Sequence, residues 1–451
     1  MMFRSLLSPT LLCAILLASL SGHAIGMDLL QAYKLALAND SQVASAQSQL
    51  AAITQRQAQA EAAFRPTVNS SASIQRQAAD VDPVGRASYS AQFTNQNYAV
   101  SLSYPLYRLQ NVEALEQSRL QIGVAEAQLG AARQDLILRV SQAYFDVLAS
   151  QDSLATIRSQ KRAITEQLAA ARRNFEVGTA TITDQQEAQA RFDLVVAQEL
   201  AALNDLEVKR AALSLLLGRP IGALFVMRPG IQLGAPQPAQ ESQWTAAARD
   251  TNYAVQQSRL STEVAKREIE RQRLATGVTV DLVSSLSSAR SSSLAAGGFS
   301  TTGNLVGGVG VQLAKPLYTG GLVEARVREA VASHERSLSD LETARRQAEL
   351  SARQFFFGVN SGLGQIRALE AAEKSSQLAL DSNLLGYQVG VRINIDVLNA
   401  QQQLFTTRRD LARARYDTLL NGLRLKTTNG SLREEDLSTV NAMLVAPEGG
   451  S

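Results

Sequence analysis

The chain has 451 residues, with 44 lysines and arginines against 41 aspartates and glutamates. Charges of both signs are interspersed, so the surplus of +3 makes no basic patch and leaves no place for nucleic acid. The single cysteine, Cys13, and His23 fall at the N-terminus and leave His334 as the one remaining histidine, a solvated residue beside Glu335 and Arg336, which argues against a disulfide framework, a Cys/His metal site, a bound cofactor held that way and histidine-based catalysis.

Residues 1–26 read as a secretory signal: Arg4 precedes an apolar run over 11–18, and small residues follow at Ala24 and Gly26. Cleavage fits after either. The apolar run is too short to span a bilayer. Leu11-Leu12 before Cys13 is not a lipid-attachment context.

The mature chain is written twice. Pro105-Leu106-Tyr107 recurs as Pro316-Leu317-Tyr318, Gln142-Ala143-Tyr144-Phe145 as Gln354-Phe355-Phe356-Phe357, and Phe175-Glu176-Val177-Gly178 as Tyr387-Gln388-Val389-Gly390. The offset is 211 at the first pair and 212 at the others, far beyond a solenoid period, so each copy is half of one molecule. Repeat 1 covers 27–218 and repeat 2 covers 244–430.

In repeat 1 a helix over 32–64 leads to a strand pair within 67–104, with strands at 67–75 and 97–104 and a loop over 77–95. Tyr98, Val100, Leu102 and Tyr104 alternate with small polar residues, the period of a strand. A long helix over 108–177 follows. It lacks proline and carries a seam at strict sevens: Ile122, Leu129, Leu136, Ala143, Ser150, Ile157, Ile164 and Ala171. A turn at Val177-Gly178-Thr179 reverses the chain into a helix over 179–217. The stretch 219–243 holds four of the ten prolines and reads as an irregular connector.

Repeat 2 follows the same plan: a helix over 244–275, a strand pair within 278–314 around a loop at 288–303, a long helix over 320–389, a turn at Val389-Gly390-Val391 and a helix over 391–425. In each repeat two shorter helices match one long one, as in an elongated antiparallel bundle. Pro105 and Pro316 mark the strand-to-helix junctions; Gly277 stands where the repeat calls for a counterpart of Pro66. The tail over 431–451 has no assigned element, and 446–451 is expected to be disordered.

Each strand has ~9–11 residues, the length that crosses a bilayer at a tilt. Four strands cannot close a barrel, and an open edge in lipid is forbidden, so the chain supplies strands to an oligomer. Two copies give a filled eight-stranded barrel, three a twelve-stranded one with an aqueous lumen.

The signal, the duplicated strand-pair and long-helix unit, and the run from Val389 through Arg392, Asp396 and Asn399 to Ala400 resemble the TolC family of outer-membrane efflux proteins. The resemblance implies an α+β membrane protein in which three protomers form a twelve-stranded outer-membrane β-barrel continuous with a twelve-helix periplasmic α-barrel. It implies docking, through the two Val-Gly turns, onto a periplasmic adaptor and an inner-membrane ABC or proton-driven transporter. By position, Thr183 and Asp184 match one side of the links that close the periplasmic end, Tyr387 and Arg392 the other, and Asp396 a lumen-facing carboxylate ring. Asn399 replaces a second aspartate. The implied activity is passive conduction in type I protein secretion or small-molecule efflux, with no catalytic, cofactor or metal site. The competing reading is a periplasmic coiled-coil scaffold without a pore.

Overall fold

The computed structural model describes residues 26–82, 84–85, 87–295 and 298–446, so the expected signal, apart from Gly26, and the last five residues lie outside the described residues. Repeat 1 contains α1 (Leu29–Asn39), α2 (Ser41–Ala62), β1 (Thr67–Val81), β2 (Tyr89–Tyr107), α3 (Leu109–Glu176) and α4 (Ile182–Leu217). A short strand β3 (Val226–Met227) precedes repeat 2, which runs α5 (Glu241–Thr251), α6 (Tyr253–Arg273), β4 (Thr279–Ala295), β5 (Gly298–Ala314), α7 (Leu322–Gln388) and α8 (Asn394–Thr428). The chain ends with α9 (Glu434–Asn441) and β6 (Leu444–Val445). It divides into two compact units, one of Met1–Ala46, Leu129–Val255 and Arg345–Ser451, the other of Gln47–Gln128 and Gln256–Ala344.

The second unit holds the antiparallel sheet, ordered β1-β2-β4-β5, so that β2 and β4 join the repeats and β1 and β5 are edges. Its register settles which residues share a face. Val68 lies opposite Leu102, Leu102 opposite Ser284, and Ser284 opposite Val309; Ala72, Tyr98, Ser288 and Leu305 form another such row. Directly opposed residues point the same way. One face therefore collects Val68, Ile74, Val100, Leu286, Val311 and Leu313, and the other Asn69, Ser101, Ser285, Gly308 and Gln312.

The strands are longer than expected, at 15, 19, 17 and 17 residues. Most of the loops assigned to 77–95 and 288–303 is ladder instead. Serine and threonine there pair across strands, as in Ser292 with Thr301 at 3.2 Å and Ser291 with Asn95 at 2.7 Å. Such residues weaken an alternation signal without weakening backbone pairing.

The two Pro-Leu-Tyr junctions also differ. Pro105 to Tyr107 end β2, with a register shift there against β4, whereas Pro316 to Tyr318 follow the end of edge strand β5 in irregular backbone. At the first junction the Arg108 guanidinium grips both oxygens of Asp281, at 2.9 and 2.6 Å. At Gly277 an added Cβ would lie 2.9 Å from the Leu274 carbonyl, behind a one-turn 3₁₀ segment, so this corner is built differently from that at Pro66.

In the first unit the helix expected over 32–64 breaks at Asp40, and that over 244–275 begins at Glu241 and breaks at Asn252, one repeat offset away. Both residues start the next helix with a side-chain oxygen: Asp40 accepts from the Val43 N–H (2.8 Å), Asn252 from the Ala254 N–H (2.9 Å). Asp40 also binds Arg139 at 2.8 Å, while Asn252 donates to the Thr428 carbonyl at 2.8 Å. Gly218 and Gly430, at φ 71° and 67°, end α4 and α8 against Asn39 and Thr251; a Cβ on either would fall 2.5 Å from those residues.

The connector and the tail are also more ordered than expected. β3 pairs with β6, Met27 bridges Leu224, and the buried Tyr144 hydroxyl donates to the Met27 and Phe225 carbonyls at 3.0 Å. Two-residue strands and an eight-residue helix fall below what sequence periodicity resolves. The seven-residue seam of α3 is buried from Leu129 to Ala171, apart from half-buried Ala143.

Candidate functional site

The two helix-reversing turns share one hydrogen-bond pattern. In the first, the N–H groups of Thr179 and Ala180 donate to the Asn174 carbonyl at 2.8 and 3.2 Å; in the second, those of Val391 and Arg392 donate to the Gly386 carbonyl at 2.8 and 3.1 Å. Gly178 and Gly390 take φ values of 79° and 78°, the left-handed conformation such helix ends use. No atom lies within 4 Å of a Cβ at either glycine, so backbone conformation alone demands glycine. Val177, Val389 and Val391 are exposed at the tips.

Beyond the turns the repeats diverge. Thr181 caps α4 and Asp184 answers it: the Asp184 N–H donates to Thr181 Oγ1 (3.2 Å), and the Thr181 N–H and hydroxyl donate to Asp184 Oδ2 (3.0 and 2.7 Å). The equivalent cap of α8 is Ile393, which offers no side-chain acceptor. Asp396, the counterpart of Asp184, is left for Arg392, 3.6 Å away in an exposed pair. Gly386 gives the Arg392 stem room, since a Cβ there would meet its Cγ at 2.7 Å.

The structure thus places Thr183 and Asp184 on the first turn of α4, Tyr387 on the last turn of α7, Arg392 in the reversal after it, and Asp396 and Asn399 on the first two turns of α8, but does not join Asp184 to Tyr387 within one chain. Asp184 is engaged in its cap, and the Tyr387 hydroxyl accepts from Asn174 Nδ2 at 3.2 Å. Thr183 is exposed. Asn399 accepts from Arg191 at 3.0 Å, and the same guanidinium reaches Gln402 at 2.6 Å, tying α4 to α8.

Two apolar clusters support these contacts. Ile164, Leu168 and Ala171 of α3 pack with Ala188 and Val195 of α4 and Leu398 of α8. Leu380 of α7 packs with Val397 and Leu404 of α8. Between the hairpins lies a residue the sequence reading passed over. Asn394 is 0% exposed, accepts from Gln167 Nε2 at 2.6 Å and donates to the Asp184 carbonyl at 3.0 Å. The signal was there: an amide between Ile393 and Ile395, where repeat 1 carries Ile182.

The outer membrane efflux protein family matches twice, over residues 32–219 and 244–431, each limit displaced by the repeat offset. The chain belongs to that family. It is 31% identical over 443 residues to outer membrane protein TolC of Vibrio cholerae, covering 95% of this chain and 96% of that one. It is 32% identical over 438 residues to the alkaline protease secretion protein AprF of Pseudomonas aeruginosa, covering 94% and 89%. The crystal structure of the outer membrane protein VceC from Vibrio cholerae shares the fold, with a TM-score of 0.74 at 18% identity over 89% of this chain and 96% of that one. As a TolC-family protein the chain is an outer-membrane channel reaching into the periplasm of a Gram-negative cell, a conduit without catalysis.

Proposed function

We propose that three copies close a twelve-stranded barrel above a twelve-helix tunnel and pass substrates from an inner-membrane transporter and its periplasmic adaptor to the exterior. The observation that carries this reading is a sheet with one apolar face and two unpaired edges, β1 and β5. Lipid excludes such edges, so each must find a partner strand in another copy. The helices carry the same demand. Leu194, Ala201, Val208 and Leu215 on α4 are exposed at seven-residue spacing, as are Leu350 and Phe357 and, beyond half-buried Gly364, Ala371, Leu378 and Leu385 on α7. Such stripes are coiled-coil seams awaiting a neighbouring helix.

The six tips of the trimer, Val177-Gly178-Thr179 and Val389-Gly390-Val391 from each copy, are the adaptor contacts. Thr183, Asp184, Tyr387, Arg392, Asp396 and Asn399 form the gate behind them. The name of AprF supports polypeptides among the cargo. Purified protein in a planar bilayer tests the proposal against a pore-less scaffold: a heat-resistant oligomer with discrete conductance supports the conduit, and an oligomer that never conducts supports the scaffold.

A further inference from the structure

The two repeats place residues of opposite character at one site. Ile182 at the start of α4 is half exposed, whereas its counterpart Asn394 at the start of α8 is fully buried. An amide in that position needs partners, because a buried polar group left unpaired is destabilising. It has two, on two different helices. Gln167 of α3, itself 6% exposed, donates to its oxygen, and the Asp184 carbonyl of α4 accepts from its nitrogen. Leu168, Ala188 and Leu398 pack in the same region.

We propose that Asn394 is an uncharged latch that holds the α7–α8 hairpin against the α3–α4 hairpin and so keeps the periplasmic end of each protomer closed. This rests on the conduit reading above. Any opening that separates the hairpins must break both hydrogen bonds at once. The latch lies within one chain and carries no charge, so it acts independently of links between protomers and of the exposed Arg392–Asp396 pair. The Arg191 bonds to Asn399 and Gln402 are a second tie between α4 and α8, further along both helices.

Removing one partner of a buried hydrogen bond leaves the other unsatisfied, whereas replacing both by apolar groups is close to neutral. That asymmetry gives the test. Asn394→Leu, Gln167→Leu and the double substitution are compared in planar-bilayer recordings of the full-length oligomer, with heat-resistant oligomer measured alongside. Each single variant should shift the open-to-closed ratio by roughly ten-fold per protomer, and the double variant should return towards the parent. Single variants that conduct like the parent, or a double variant whose effect is the sum of the two, overturn the latch. A parent that forms no conducting oligomer overturns the conduit reading instead.

A second variant guards against failed assembly of the first. Gln167→Cys with Asn394→Cys, in a chain whose only native cysteine is Cys13, is bridged by a short bifunctional thiol reagent. Bridged channels should stay closed when adaptor is added and open after the bridge is cleaved. Equal opening with and without the bridge counts against the latch.

Discussion

Asp40 shows what one carboxylate does in this chain. Its hydrogen bond from Arg139 holds the carboxyl below the usual carboxylate value of 3.8, against the opposing effect of burial and with help from the Val43 N–H. A depressed folded pKa means that its stabilisation is complete above 3.8 and is lost as pH falls through the lower folded value. Asp40→Asn should therefore lower the unfolding temperature at neutral pH, by roughly 1–3 kcal/mol in stability, and the deficit should shrink in acid. An equal deficit at both pH values, measured by thermal unfolding, contradicts this. The residues proposed for the gate would act through weaker contacts. Exposed links proposed between protomers, Asp184 to Tyr387 and Arg392 to a neighbouring helix, would contribute ~0–1 kcal/mol each, but threefold repetition would let them bias closed against open. Tyr387→Phe combined with Arg392→Ser should raise single-channel conductance with the barrel intact; parental conductance removes these residues from the gate. Asp396, free of capping duty, should favour cations at the mouth, and Asp396→Ala should abolish that preference. Unchanged reversal potentials would show that this carboxylate does not face the lumen.

Among the elements, the turns and strands make the most specific demands. A Cβ at Gly178 or Gly390 enters open space, so the intrinsic cost expected of Gly178→Leu and Gly390→Leu is that of the left-handed backbone, ~1–2 kcal/mol at one residue. Normal oligomer with lost export is the expected phenotype, and normal export by both variants rules out docking at the tips. In the sheet, Val100→Arg should impair assembly, at ~2–4 kcal/mol for a lipid-facing charge near mid-depth. Ser101→Arg, on the opposite face, should assemble and change conductance instead; equal tolerance of both contradicts the barrel. Strong periodicity made these elements legible in the sequence. The heptad seam located α3, the alternation located the apolar parts of all four strands, and the Val-Gly pairs located both reversals. What the sequence concealed has local causes. Serine-rich strand ends carry no alternation, and the breaks at Asp40 and Asn252 sit inside unbroken helical composition. The latch was hidden for a different reason: Asn394 gains its meaning from Gln167, 227 positions away.

On the scale of the whole molecule, duplication explains both what is shared and what is not. The repeats share the turn hydrogen bonds, the capped helix breaks and the glycine helix ends at one constant offset. They differ where Thr181 becomes Ile393 and Ile182 becomes Asn394, beside the proposed gate. Neither repeat is complete alone, since their sheets join only through β2 and β4 and still leave two edges. The sheet therefore requires closure by further copies, and the stripes on α4 and α7 make the same requirement of the helices. Native mass spectrometry of the full-length protein, extracted from outer membranes in mild detergent, tests it most directly. An assembly of three chains is expected, stable until the detergent is exchanged for a denaturing one at high temperature. A population of single chains, or of two, would contradict it.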